Sequence, residues 1–442
     1  MRLSAQTPLP ASVQAPGYDR DAQAAGIVHI GIGAFHRAHQ AVYTDDAMGA
    51  GDRDWGITGV SLRSGDVAAR LNPQDGLYTV SARSAGGTRL RLVGAVRRVL
   101  VAADDPRAVI DTIAAPATQI VSFTVTEKGY LRAADGSLDL DAAKGASSLY
   151  RLVGAALAAR KAAGRSGLTL LSCDNLANNG VVLRRLMRQY LAAEHPGLVG
   201  WFDAHCRCPA TMVDRIVPAT TDADRATVET ILGARDEGAV VTEAFSQWVI
   251  EDDFVDPRPR WEAGGAQWVT DVAPYETAKL RMLNGAHSAL AYIGLGRGHE
   301  FVHQAIADPA IRPLIERLMR DEAAPTIDAA PGQDLAAYAD ALLDRFANPA
   351  LAHRLIQIAM DGSQKIPQRW LETLAWHQRR GARCPVLLAA IDAWIAFLRD
   401  DLHPVDDPLA DRLRAVAAGP DAVAALFGPR GVIPSPWVPL PK

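Results

Sequence analysis

The stretch His29-Ile30-Gly31-Ile32-Gly33-Ala34-Phe35-His36-Arg37-Ala38-His39 decides the fold. It follows a short apolar run, Ile27–Ile30, that reads as a strand, and it leads into a helical pattern from about Phe35 to Met48. Gly31 suits a tight strand-to-helix turn. Gly33 would let backbone approach a pyrophosphate, and the helix start behind it offers free N–H groups and a partial positive charge. Phe35 and Arg37, at that helix start, join the two glycines as cofactor-binding candidates. The third glycine of the usual dinucleotide fingerprint is missing, because His36 stands there. A bare G-x-G is equally compatible with a plain turn. Its position after the first strand of an alternating strand-helix region is what favours a cofactor.

Working outward, Trp55–Leu62 reads as a second strand. Arg63-Ser64-Gly65-Asp66 follows it, without the acidic residue that usually holds a ribose hydroxyl at the strand end. Asp66 is the candidate for that work, and Arg63 could instead meet a 2′-phosphate, so NAD and NADP both stay open. Leu90–Val101, Thr118–Val125 and Leu168–Ser172 are further strand candidates, with helices over Ser148–Ala163 and Val181–Ala193. This alternation predicts a largely parallel α/β sheet. From Pro274 onward the pattern is helical: Glu276–Ile293, Ile311–Glu322, Leu335–Phe346, Leu351–Met360, Pro367–Arg379 and Leu387–Leu398 carry apolar residues at three- and four-residue spacing. The expected division is therefore an α/β domain over 1–270 and an all-helical domain over 271–442. Residues 1–25 are expected to run over the surface, and the Pro-rich tail to be extended.

A chain of 442 residues is too long for one ordinary core. Its net charge of -4 supplies no electrostatic case for nucleic acid or an anionic membrane. Cys173, Cys206, Cys208 and Cys384 match neither a disulfide framework nor a four-thiolate zinc site. No secretory h-region and no apolar run of membrane-spanning length is present, and the cytoplasm follows as a default.

The chemistry concentrates in Tyr275-Glu276-Thr277-Ala278-Lys279-Leu280-Arg281-Met282-Leu283-Asn284-Gly285-Ala286-His287-Ser288. On an α-helix, with Lys279 at zero, Glu276 falls near ~60°, His287 near ~80° and Asn284 near ~140°. Oxidising an alcohol needs a base for the hydroxyl proton and donors for the developing oxyanion. A desolvated lysine can be the base, an asparagine amide can donate, and a histidine can orient the oxygen, all without a metal. The competing reading is a solvated polar face. Leu280, Leu283 and Leu290 lie on or beside that side, which argues for burial.

Three other stretches are read beside their plainer alternatives. Ser172-Cys173-Asp174-Asn175-Leu176-Ala177-Asn178-Asn179-Gly180 follows a strand, where open α/β sheets bind ligands, yet its composition also suits a turn. Met360–Arg369 places Lys365 and Arg369 where a carboxylate could bind, yet it also reads as a helix start with proline near its first position. Met212–Pro218 carries an Asp-Arg pair that is commonly structural.

With these residues in view, the sequence resembles the polyol-specific long-chain dehydrogenases of the mannitol dehydrogenase type, from about Ile27 to Leu398. The matching motifs are GIGAFHRAHQ, TVTEKGY (Thr124–Tyr130), SCDN (Ser172–Asn175), TMVDRIVPATT (Thr211–Thr221), QWVIEDDF (Gln247–Phe254), KLRMLNGAHS (Lys279–Ser288) and DGSQK (Asp361–Lys365). The resemblance implies a Rossmann-type N-terminal domain, a helical C-terminal domain, catalysis in the cleft between them and no metal. It implies that Lys279 is the general base, that Asn175 and Asn284 are oxyanion donors, and that His287 belongs to the same motif. It places Val213, Asp214 and Lys365 at substrate contacts. Glu276, one turn before Lys279, is expected to help proton passage to solvent.

Within the family, His353–His377 is nearest to the branch that interconverts D-fructuronate and D-mannonate with NAD(H). The mannitol branch tends to carry arginine where Gln357 stands. A uronate needs cations for its carboxylate, and Arg354, Lys365 and Arg369 are the candidates. The alternative substrates are mannitol/fructose or another hexitol or pentitol. Rivals of other classes are a non-catalytic cofactor-binding regulator, which should have lost the lysine, and a metal-dependent sugar-acid dehydratase, which needs a carboxylate/histidine cluster that is not found. Long-chain members of the family are often monomers, so a monomer or weak oligomer is expected, with a small sugar acid or polyol as its partner.

Overall fold

The computed structural model describes residues 1–255 and 257–439 and divides the chain into two compact units, Met1–Val272 and Ala273–Lys442. The N-terminal unit is built on a five-stranded parallel sheet whose order is Val96–Val101, Ile57–Ser61, Ile27–Ile30, Ile120–Phe123, Thr169–Ser172. Ile27–Ile30, Ile120–Phe123 and Thr169–Ser172 are buried throughout their length, which is why they read as short continuous apolar runs rather than alternating ones. The chain winds outward on one side of Ile27–Ile30 and then returns to its other side. That reversal is the topological switch point at which doubly wound sheets bind ligands, beyond the carboxyl ends of the strands.

Two further sheets, largely missed by the sequence reading, complete this unit. Leu90–Val101 was expected as one strand; the structure resolves it into Gly87–Val93 and Val96–Val101, which belong to different sheets. Gly87–Val93 forms a hairpin with Tyr78–Ser84, and Val240–Glu243 and Val13–Gln14 flank that pair. The leader is accordingly not a loose surface segment. Leu3 is fully buried, Val13 pairs with Leu90, and Leu3 N–H donates to the Arg235 carbonyl at 2.9 Å. The third sheet joins Thr211–Asp214, Gln247–Glu251 and Gln267–Val269. The four cysteines are free thiols, and burial pushes Cys206 up to about 11.

The C-terminal unit is helical, and its core surrounds Gly285–Gly296, a segment with ten buried residues. Leu290, Trp370 and Trp394 lie in that core at 1% exposure or less. Truncating Leu290 to alanine would cost about 2–5 kcal/mol. Gly294 is required by packing, since a Cβ there would sit 2.7 Å from a Leu355 methyl and 3.0 Å from the Ala305 methyl. The segment before this core departs from the expected single α-helix. Ala273–Ala278 is α-helical, Lys279–Asn284 is a π-turn, and α-helix resumes at Gly285. Two more π-turns occupy Leu318–Ala323 and Pro367–Leu371.

Candidate active site

On the N-terminal unit, the parallel register brings four loops to one edge of the sheet. Ile30 pairs with Val60 and Phe123, and Phe123 pairs with Ser172. Gly31, Thr124 and Cys173 therefore leave the sheet side by side, and the chain after Ser61 leaves it one residue later. Gly31 holds φ +100°, and a Cβ on it would meet the Thr124 carbonyl oxygen at 2.1 Å. Only glycine fits there. At Gly33 an added Cβ would meet nothing nearer than the Gly31 oxygen at 3.8 Å. The backbone at Gly33 is thus open to close approach, which fits the pyrophosphate of a dinucleotide.

The expected helix after this turn breaks at His39, giving Ala34–Ala38 and Gln40–Gly49. His36, in the place of the third glycine, is fully buried and stacks on His29 with ring centroids 3.4 Å apart. His29 is held by Ser122 Oγ and Thr124 Oγ1, each at 2.8 Å. Burial pushes His29 down to about 3 and His36 well below the usual histidine range, so both are neutral. Arg37 is also buried. Its Nε donates to the Gly33 carbonyl at 3.3 Å and its Nη1 to the Gly238 carbonyl, so the guanidinium holds the turn's own backbone. Phe35 stacks on His39 at 5.0 Å. Asp66 is exposed in the first turn of Asp66–Leu71, with its N–H on Ser64 Oγ at 3.1 Å.

Asn175 is exposed in the loop after Thr169–Ser172. Sequence patterns assign no role to its neighbour Asp174. The Asp174 carboxylate accepts the N–H groups of Val125 and Thr126 at 3.0 and 2.9 Å and the Tyr130 hydroxyl at 3.0 Å. It ties the SCDN loop to the TVTEKGY loop, where Thr126 sits at φ +64°. Backbone strain of this kind collects at functional sites. The signal available in the sequence was that both motifs follow adjacent strands. Val213 and Asp214 end the buried strand Thr211–Asp214, with Val213 in the core cluster of this unit. Arg215 reaches the carbonyls of Ala38 and Glu243, the latter at 3.1 Å.

On the C-terminal unit, the π-turn decides the geometry. An i→i+5 turn brings residues five apart into line along the axis. Asn284 therefore lies under Lys279, much closer than the ~140° that an uninterrupted α-helix predicts. Lys279 and Asn284 are half-buried, whereas His287 is 9% exposed. The His287 ring packs against Phe346 at 4.7 Å and stands perpendicular to His353 at 5.4 Å. Neither of its nitrogens has a hydrogen-bond partner among the described residues. Burial first, then His353, Arg345 and Arg369, push it well below the usual histidine range. A neutral imidazole with both nitrogens available can donate to one oxygen and accept from another.

Lys365 Nζ donates to the Met360 carbonyl at 2.6 Å, and burial lowers its ammonium below the ordinary lysine range. Arg354 is half exposed and ion-paired with Glu300 at 2.5 Å. Arg369 is more enclosed and bonds to Asn284 O and Ser288 Oγ; burial lowers it to about 10. Among the described residues, no group of three His, Cys, Asp or Glu side chains is placed to hold a metal ion. No described helix is long and apolar enough to cross a membrane.

Residues 25–263 match the mannitol dehydrogenase Rossmann domain, and residues 271–428 match the mannitol dehydrogenase C-terminal domain. The chain is 40% identical to D-mannonate oxidoreductase of Escherichia coli, over 95% of this chain and 91% of that protein. It is 39% identical to a mannitol 2-dehydrogenase of Pyrenophora tritici-repentis, over 94% of this chain and 78% of that protein. Among solved structures, the Pseudomonas fluorescens mannitol 2-dehydrogenase ternary complex with NAD and D-mannitol aligns with TM-score 0.81 and 37% identity, covering 96% of this chain and 90% of that one. The two halves of the chain, read separately as a nucleotide-binding sheet and a lysine-bearing helical unit, thus coincide with the two domains of one enzyme family. This chain is an oxidoreductase of the mannitol dehydrogenase family.

Proposed function

We propose that the protein interconverts D-fructuronate and D-mannonate, using NAD(H), with Lys279 as general acid/base. Bound NAD supplies the hydride acceptor, or as NADH the hydride donor, at nicotinamide C4. In the oxidative direction the Lys279 amine removes the hydroxyl proton. The amides of Asn284 and Asn175 donate to the oxygen as it gains negative charge, each worth about 10²–10³ in rate. His287 orients that oxygen through its available nitrogens. In reduction the Lys279 ammonium returns the proton.

The observation that carries the acidic substrate is the surroundings of His287. The charged neighbours that depress it, Arg345 and Arg369, are both cationic. Such a field suits a carboxylate better than a neutral hexitol. The relationship to D-mannonate oxidoreductase supports the same reading. The second reading, mannitol or another polyol, is supported by the comparable identity to the fungal mannitol 2-dehydrogenase. NADH oxidation with D-fructuronate, D-tagaturonate, D-fructose and D-xylulose in parallel separates them. A higher kcat/KM for fructose or xylulose than for fructuronate would remove the uronate assignment.

A further inference from the structure

Among the described residues, two of the three π-turns in the C-terminal unit pack against each other, and polar bonds join them. Pro367–Leu371 presents two side chains to the point where Lys279–Asn284 ends and regular helix resumes. Arg369 Nη1 donates to Asn284 O at 3.3 Å and to Ser288 Oγ at 2.8 Å, so one nitrogen spans successive turns. Trp370, fully buried, donates Nε1–H to Gly285 O at 3.0 Å. The approach is close, since a Cβ on Gly285 would lie 3.3 Å from Arg369 O. Arg369 has no carboxylate partner among the described residues. A largely buried guanidinium without a counter-ion, directed at the carbonyl of Asn284, is an expensive arrangement for packing alone.

A π-turn has an obvious competitor, the α-helical bonding of the same residues. Reverting to α would rotate Lys279 away from Asn284 toward the ~140° separation of an ordinary helix. We propose that Arg369 and Trp370 are positioning residues that hold the Lys279–Asn284 segment in its π-turn, and thereby keep the base and the oxyanion donor on one line. Neither residue needs to touch substrate. The proposal rests on Lys279 being the base.

The test compares Arg369→Met, Arg369→Lys, Trp370→Phe and Lys279→Met with the wild type, using NADH with D-fructuronate and with D-fructose. Hydrogen exchange of the amides over 279–288 is followed in the same proteins, with helix Leu335–Phe346 as internal control. Arg369→Met should lower kcat about 10- to 100-fold for both substrates, as misplaced catalytic groups do. KM for D-fructose should stay within about twofold, while KM for D-fructuronate rises with the loss of one positive charge. Exchange over 279–288 should quicken while 335–346 is unchanged. Arg369→Lys should restore part of kcat, and Trp370→Phe, which keeps the ring in place, should shift exchange the same way to a smaller extent. A rise in KM confined to fructuronate, with kcat and exchange unchanged, would overturn the brace and make Arg369 a substrate contact. Unaltered exchange in both Arg369→Met and Trp370→Phe would overturn it too. Should Arg369→Met fail to fold, Trp370→Phe and Arg369→Lys decide by the same two readouts. Lys279→Met with near-normal turnover would remove the base assignment, leaving the exchange result to be read independently.

Discussion

The imidazole of His36 lies over that of His29 with centroids 3.4 Å apart and planes within 14° of parallel. His36 occupies the fingerprint position where glycine usually permits close packing of helix on strand. Here a flat ring stacked on another flat ring performs that packing. Both are neutral when folded. Because their folded pKa values lie below the unfolded value of about 6.5, the unfolded chain takes up more protons in acid. Their stabilising share is intact above that pH and is lost as pH falls from there toward about 3, the folded value of His29. The slope is about 1.4 kcal/mol per pH unit for each histidine. Urea denaturation of the wild type and His36→Phe at pH 7.5 and 5.5 should show the wild type losing roughly 1 kcal/mol more between them. An identical loss in both proteins would contradict two neutral rings.

The two glycines of the turn should fail differently. Gly31→Ala meets both a positive φ and the Thr124 carbonyl, and should lower stability by at least about 2 kcal/mol. Gly33→Ala has room for its methyl group, so the melting temperature should change little while NADH affinity drops. Thermal melts with NADH fluorescence titration separate the two effects. Unchanged affinity in Gly33→Ala would remove that residue from the cofactor contacts.

Replacing Lys279 by alanine should reduce turnover by about 10²–10⁴ and leave NADH binding near wild type. Oxidation needs the free amine and reduction needs the ammonium. In the wild type, kcat/KM for D-mannonate oxidation should therefore rise with pH through one ionisation, and kcat/KM for reduction should fall through the same one. Parallel pH profiles in the two directions would be incompatible with a lysine acid/base.

The basic side chains of the C-terminal unit should divide by their partners. Arg354 is half exposed and paired with Glu300, so Arg354→Met should leave KM for fructuronate within about twofold and stability within about 0.5 kcal/mol. Lys365 points its ammonium at backbone carbonyls from a half-buried position. Lys365→Met should raise that KM about tenfold or more, the scale of a lost charged hydrogen bond. The reverse order of effects would make Arg354 the carboxylate ligand.

The parallel sheet was legible because its strands are short, apolar and separated by helical stretches. The glycine turn was legible because Gly31 has no substitute at its φ. The hairpin Tyr78–Ser84 with Gly87–Val93 alternates apolar and polar residues along Tyr78–Arg83 and Arg89–Leu92, and it escaped notice because Leu90–Val101 reads as one apolar run across Gly94. Leu3 and Val13 looked like parts of a loose leader because their partners, Arg235 and Leu90, are remote in sequence. At the candidate site, Lys279, Asn284 and His287 could be named from their chemistry. Their alignment could not, since an α-helical wheel assumes a bonding pattern that this segment abandons. The bonds from Arg369 and Trp370 to that segment join positions about eighty-five residues apart. Periodicity cannot report them.

A π-turn amounts to one residue more than an α-helix needs over the same rise. The site of the C-terminal unit is therefore sensitive to chain length as well as to side chains. Deleting one residue from 280–283 would permit an unbroken α-helix with Lys279 and the asparagine four apart, about 40° from each other, so a chain one residue shorter could keep the alignment that the native length reaches only through the π-turn. Lengthening the same stretch by one residue would instead set the two groups about 120° apart on an α-helix, and should abolish turnover even where every polar residue of the site is retained.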